Sequence, residues 1–133
     1  MTPYNIKIIT PEKKFYEGQT EQIIAKTTSG NVGILAGHAP YVANIVSSPF
    51  KIKIDGAFRI AAISGGLLKV SEDGVTVVTS AIEWADEIDV ERAERAKSAA
   101  ENKIKENAGQ KEFDRAEQRL KRALNRLVVA QKK

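Results

Sequence analysis

The sequence predicts an all-β N-terminal sandwich followed by a C-terminal antiparallel α-helical hairpin. Two observations carry this. Eight of the nine glycines lie at or before Gly74, and all four prolines (Pro3, Pro11, Pro40, Pro49) lie earlier still. At Ile88-Asp89-Val90-Glu91-Arg92-Ala93 the apolar pattern also changes, from strand-like alternation to helical spacing. The division falls into residues 1–86, a sandwich, and residues 87–133, a two-helix hairpin.

Tyr4 to Ile9 alternates, with Tyr4, Ile6 and Ile8 on one face, and Thr10-Pro11 ends it. Gln22 to Thr27 is a second strand. Lys51–Ile54 and Ala57–Ile60 flank Asp55-Gly56, whose residues tolerate the positive φ of a two-residue hairpin turn. Leu67–Val70 and Val75–Thr79 flank Glu72-Asp73-Gly74, a hairpin with a longer turn. Short turns of this kind predict antiparallel pairing. Between the second strand and the first hairpin, Ser29 to Tyr41 holds three glycines within eight residues, which suggests a sharply bent backbone.

Asp89 has the chemistry of a helix N-cap, and Glu91 adds negative charge where the helix dipole favours it. Asp89 and Arg92 also lie one turn apart, so a ligand site at the helix start is a second reading. From Val90 to Asn107 there is neither Gly nor Pro; Ala93, Ala96, Ala99, Ala100 and Ile104 make a narrow apolar stripe, with Glu91–Arg95 and Glu101–Lys105 as i,i+4 pairs. Gly109 suits a left-handed position ending this helix. A second helix, about Lys111 to Ala130, places Phe113, Ala116, Leu120, Ala123, Leu124, Leu127 and Ala130 on one side. An alanine-rich stripe buries little area, so the hairpin depends on docking and is expected to be detachable.

Composition narrows the function. No apolar run is long enough to span a membrane, and no signal peptide opens the chain. Without cysteine there is no disulfide framework or thiolate metal site, and no metal is expected. The net charge of +4 is uneven: residues 1–87 sum to −1, 88–110 to zero and 111–133 to +5. Arg115, Arg119, Arg122 and Arg126 line one face of the second helix, a ladder suited to carboxylates or phosphates. His38 is the one histidine and lacks an obvious orienting partner. The glycine-rich stretch lacks the lysine and hydroxyl of a phosphate loop, and Ser64-Gly65-Gly66 lacks the setting of a nucleophile elbow. No catalytic residues are expected. A basic-helix nucleic-acid-binding module is the alternative from another class, against which stand the net −1 of the first part and the lack of a recognition fold.

Four segments carry a resemblance. Gly30-Asn31-Val32-Gly33-Ile34-Leu35-Ala36-Gly37-His38-Ala39-Pro40-Tyr41 is similar to Gly-x-x-Gly-x-Leu-Pro-Gly-His-x-Pro-Leu, with Ala36 for proline and Tyr41 for leucine. Ser64-Gly65-Gly66-Leu67-Leu68-Lys69-Val70 is similar to Ser-Gly-Gly-x-Leu-Glu-Val, with Lys69 for the acid. Ile88 to Ala93 matches Ile/Leu-Asp-x-x-Arg-Ala without a departure, and Lys121-Arg122-Ala123-Leu124-Asn125-Arg126-Leu127 resembles the closing motif. In this order over the whole chain, they resemble the epsilon subunit of bacterial F-type ATP synthases.

The resemblance implies a non-catalytic central-stalk subunit that couples ion flow to ATP synthesis. It would sit peripherally at the cytoplasmic face of the cell membrane, without inserting, joining the gamma subunit to the ring of c subunits. Gly30, Asn31, Gly33 and His38 would belong to its rotor contact loop. The hairpin would fold onto the sandwich or extend along gamma, where Arg115, Arg119, Arg122 and Arg126 would meet acidic segments of beta subunits and inhibit hydrolysis. No cofactor is required. ATP as a regulatory ligand would meet Glu83, Ile88, Asp89, Arg92, Ala93, Arg122 and Arg126 in the folded state, clamping the hairpin. Ala99 departs from the arginine that ATP-binding members often carry there.

Overall fold

The computed structural model describes residues 2–106 and 109–132. Eight strands come first: β1 (Tyr4–Ile9), β2 (Lys14–Thr20), β3 (Gln22–Thr27), β4 (Gly30–Leu35), β5 (Tyr41–Ile54), β6 (Ala57–Ser71), β7 (Gly74–Thr79) and β8 (Ile82–Trp84). A single 3-10 turn, Ala85–Glu87, leads to α1 (Val90–Glu106) and α2 (Gln110–Ala130). The sandwich-then-hairpin architecture is therefore as the sequence predicts.

The strands pair in the order β2-β1-β7-β6-β5-β3-β4, with β8 beside β6. β5 and β6 are long enough to serve both layers. Gly66–Ser71 of β6 pairs with β7, while Ala61–Ile63 pairs with β8, and β5 pairs with β3 on its other side. The layers meet over one core. Ile6, Ile8, Leu68, Val75 and Val77 face Ile23, Ile34, Phe50 and Ile52 across it, all nearly inaccessible. Phe15 stacks 4.8 Å from Trp84 at its margin.

The two hairpins of the sequence share one strand. Asp55-Gly56 forms the turn as predicted, with Asp55 at φ 50° and Gly56 at φ 83°. β6 then runs unbroken through Ser64-Gly65-Gly66 into the second hairpin. Gly65 (φ 99°) and Gly66 (φ 151°) occupy backbone that side chains rarely adopt. A Cβ on Gly66 would lie 2.2 Å from the Val78 carbonyl oxygen. Here Thr79 Oγ1 also donates to the Gly65 carbonyl. The motif is the corner at which β6 passes from one layer to the other.

Four expectations need correction. The pairing is not all antiparallel: β1 runs parallel to β7, because the first strand inserts beside a strand made much later. The second hairpin turn is tight, since Ser71 pairs with Gly74 and only Glu72 and Asp73 lie between. Much of the glycine-rich stretch is regular strand, β4, with Asn31 paired to Lys26 and Gly33 to Ile24. Gly109 (φ 112°, ψ 164°) is the N-cap of α2, outside the left-handed helical region in which a helix-ending glycine sits; Asn107, assigned to the first helix, lies outside the described residues.

Asp89 caps α1. The Arg92 N–H donates to its carboxylate at 3.1 Å, and the Ala93 N–H to its carbonyl at 3.0 Å. Ala93 and Ala100 of α1 and Ala116 and Ala123 of α2 are buried, whereas Ala99 faces out. Among the described residues the ion pair within α1 is Lys103–Glu106, at 3.5 Å, and neither of the pairs expected from spacing is formed. Phe113 and Leu124 of the predicted apolar side stay partly exposed, and Val129, off that side, is fully buried.

Candidate functional site

The hairpin meets the sandwich through the last turns of α2. Val129 and Ala130 join Ala62, Ala85 and Ile88 in a small apolar cluster, with Ile60 at its edge. This cluster is separate from the main core and holds too few large side chains to fix α2 by area alone. Polar contacts add direction. The Asn125 side-chain amide donates to the carbonyl oxygens of Ser48 at 3.0 Å and Ile63 at 3.2 Å. Those two residues face each other across β5 and β6. One residue on, Arg126 Nε lies 2.6 Å from Glu83 Oε1 on β8.

These contacts divide the arginine ladder. Arg126 is turned to the sandwich and paired with Glu83, while Arg115 pairs with Glu112 on its own helix at 3.5 Å. Arg92, Arg119 and Arg122 are exposed and form no ion pair among the described residues. Asp89 is exposed and serves as the cap. Ile88 and Ala93 are buried by packing. The residues expected to meet ATP thus have assigned tasks in packing, capping or pairing, except for Arg92 and Arg122. Asn125 and Val129 were missed. A polar, helix-averse asparagine amid strong helix formers was the available signal for the first.

The residues expected to form one rotor contact loop are separated. Gly30 and Asn31 open β4 beside the layer corner, where Thr27 pairs with both Gly30 and Ile45. His38 follows the far end of that strand, and a six-residue strand covers roughly 17–20 Å. His38 Nδ1 donates to the Ala39 carbonyl at 2.7 Å, and its ring meets Tyr41 edge-on, 5.8 Å between centroids. Among the described residues no carboxylate orients the His38 ring. Its turn shares a groove with Tyr4, Leu35, Val70 and Glu72. Tyr4 donates its hydroxyl to Ile34 at 2.6 Å, and burial pushes its pKa up to about 12.

One sheet face of the sandwich leaves three apolar side chains open among polar ones such as Asn44 and Lys69. Leu67 on β6 pairs with Val78 on β7, and Val42 lies two positions along on β5, with exposures of 42%, 49% and 63%. Among the described residues no group of three acidic or histidine side chains is placed to hold a metal. No described helix is long and apolar enough to cross a membrane.

Comparison with known proteins accounts for both halves. The family model of the ATP synthase delta/epsilon chain β-sandwich domain matches residues 3–85, and that of its long α-helix domain matches residues 86–131. The chain belongs to the ATP synthase delta/epsilon family. Its relatives in that family include the ATP synthase epsilon chain of Ruminococcus albus, 63% identical over the whole of both chains. That of Caldanaerobacter subterraneus is 45% identical over 97% of this chain and 94% of its own. Among solved structures, a chain of the Euglena gracilis mitochondrial ATP synthase (OSCP/F1/c-ring) shares the fold at TM-score 0.81 and 21% identity, covering 98% of this chain and 81% of its own. Membership of the delta/epsilon family makes this a non-catalytic chain. It sets the nucleic-acid alternative aside, because the whole chain and not the basic helix alone is accounted for.

Proposed function

We propose that the chain is a central-stalk subunit of a rotary ATP synthase, joining the gamma subunit to the c ring and regulating ATP hydrolysis through its hairpin. The observation that carries this is the full-length identity of 63% to an ATP synthase epsilon chain. The face carrying Val42, Leu67 and Val78 is the surface offered to gamma, since exposed apolar side chains grouped within a polar rim mark a partner site. The turns at the ends of the sandwich are offered to the c ring, and a peripheral position at the cytoplasmic face of the cell membrane goes with that reading. Arg119 and Arg122, exposed and without ion pairs among the described residues, are the contacts for acidic beta segments once the hairpin extends.

ATP enters this reading as a regulatory ligand of the docked hairpin. Arg92 and Arg122 are the cations available to its phosphates, while Arg126 is already held by Glu83. A ligand specific for the docked state would stabilise it by about 2.7 kcal/mol at one hundred times its dissociation constant. The test is to add the full chain to ATP synthase lacking this subunit. Stable incorporation with gamma, and a change in hydrolysis, is the expected result. Failure to bind a gamma-containing complex overturns the proposal.

A further inference from the structure

The docked hairpin is held by two neighbouring side chains that need no ligand. Asn125 presents two N–H donors to two backbone oxygens, those of Ser48 and Ile63, on facing strands. Each residue along a helix turns the side chain by about 100°, so a slip of α2 by one position would lose both bonds. Pro49 lies next to Ser48, in the stretch between Ile45 and Lys51 where the β3–β5 register is broken. Arg126 brings its charge to Glu83 on β8, the last strand before the hairpin. Both contacts fall one turn before Val129 and Ala130, whose small apolar cluster supplies burial and little directional preference.

We propose that Asn125 and Arg126 form a latch that holds the hairpin docked without nucleotide. Asn125 acts as the positioning residue that sets the seat of α2, and Glu83 as the built-in counter-charge of Arg126. This rests on the reading of the hairpin as a moving element, and it adds which groups decide its resting state. Ala99 fits the same picture: it is an exposed position on α1, away from every contact that docks α2. A nucleotide reaching Arg126 must share it with Glu83 or displace that carboxylate.

The chain has no cysteine, so a Ser29→Cys/Gln118→Cys pair gives two exposed spin-label sites, one on the sandwich and one on α2. The inter-label distance in the full chain reports docking. Without ATP the parent pair should give one short, docked distance. Asn125→Asp sets acceptors against carbonyls and should lower the docked-to-undocked ratio at least about tenfold, and Asn125→Ala by less. Glu83→Arg and Arg126→Glu should each undock the hairpin, and their combination should restore the docked distance. Emission from Trp84, the single tryptophan, checks that the sandwich stays folded. An unchanged distance in Asn125→Asp and both charge variants would overturn the latch, as would a parent chain that docks only with millimolar ATP. These measurements use the chain alone, so the latch can fail while binding to gamma and the change in hydrolysis stand.

Discussion

Leu67 and Val78 stand directly opposite one another on β6 and β7, with both side chains turned out of the sandwich. A half-exposed cross-strand apolar pair contributes only about 0.2–1 kcal/mol to the isolated chain. Replacing it with Leu67→Ser/Val78→Thr should leave thermal stability nearly unchanged and weaken binding to gamma at least about tenfold, the loss of roughly 1.4 kcal/mol. Titration of gamma with parent and variant chains is the measurement. Equal affinities would move the gamma contact to another face.

Gly66 and Gly37 both have positive φ, at 151° and 80°, but only Gly66 is crowded. Gly66→Ala would drive its Cβ into the Val78 carbonyl and should cost at least about 3 kcal/mol or prevent folding. Nothing lies within 4 Å of the corresponding site on Gly37. Gly37→Ala should therefore cost only the conformational strain, about 1–2 kcal/mol. Denaturant unfolding of the two variants separates these effects.

The arginines of α2 should not act alike on hydrolysis. Arg119→Ala/Arg122→Ala removes exposed charge offered to beta and should raise ATP hydrolysis by the assembled enzyme. Arg126→Ala breaks the pair with Glu83, favours the extended hairpin and should lower it. Steady-state hydrolysis with each variant subunit gives the signs. Changes in the same direction would mean that Arg126 does not hold the docked state.

Tyr4 supplies a pH dependence with a fixed sign. Its pKa is raised from 10.0 to about 12 by burial, so the neutral hydroxyl is favoured in the folded chain. The stabilisation is complete below the unfolded pKa and is lost as pH rises towards 12. A spectrophotometric titration should follow the late ionisation of Tyr4. Tyr4→Phe should abolish that step and flatten the stability loss above about pH 10.

Much of this was legible in the sequence where local chemistry dictates structure. Alternation gave β1 and β3, Asp55-Gly56 its turn, and Asp89 its cap. What escaped depends on distant partners. β2 and β4 sit at the ends of the strand order, so they tolerate the glycines, lysine and glutamate that leave no strand pattern to read. Ala57–Ile60 and Leu67–Val70 read as parts of two hairpins, and nothing local says that one strand bends at Ser64-Gly65-Gly66 and continues. At the hairpin contact, the arginine ladder was visible as a periodic stripe. The turn of Arg126 towards Glu83 was not, since it depends on where the sandwich lies. Val129 was missed for the same reason: α2 has one face for α1 and another for the sheet.

The parallel seating of β1 against β7 has a consequence for synthesis. β1 is followed directly by its antiparallel neighbour β2, but its parallel neighbour β7 is complete only at Thr79. Until then one edge of β1 has no pairing partner, and the core around Ile6 and Ile8 lacks Val75 and Val77. Each nascent chain passes through this interval with an open sheet edge, and the sandwich closes only as the segment before the hairpin emerges.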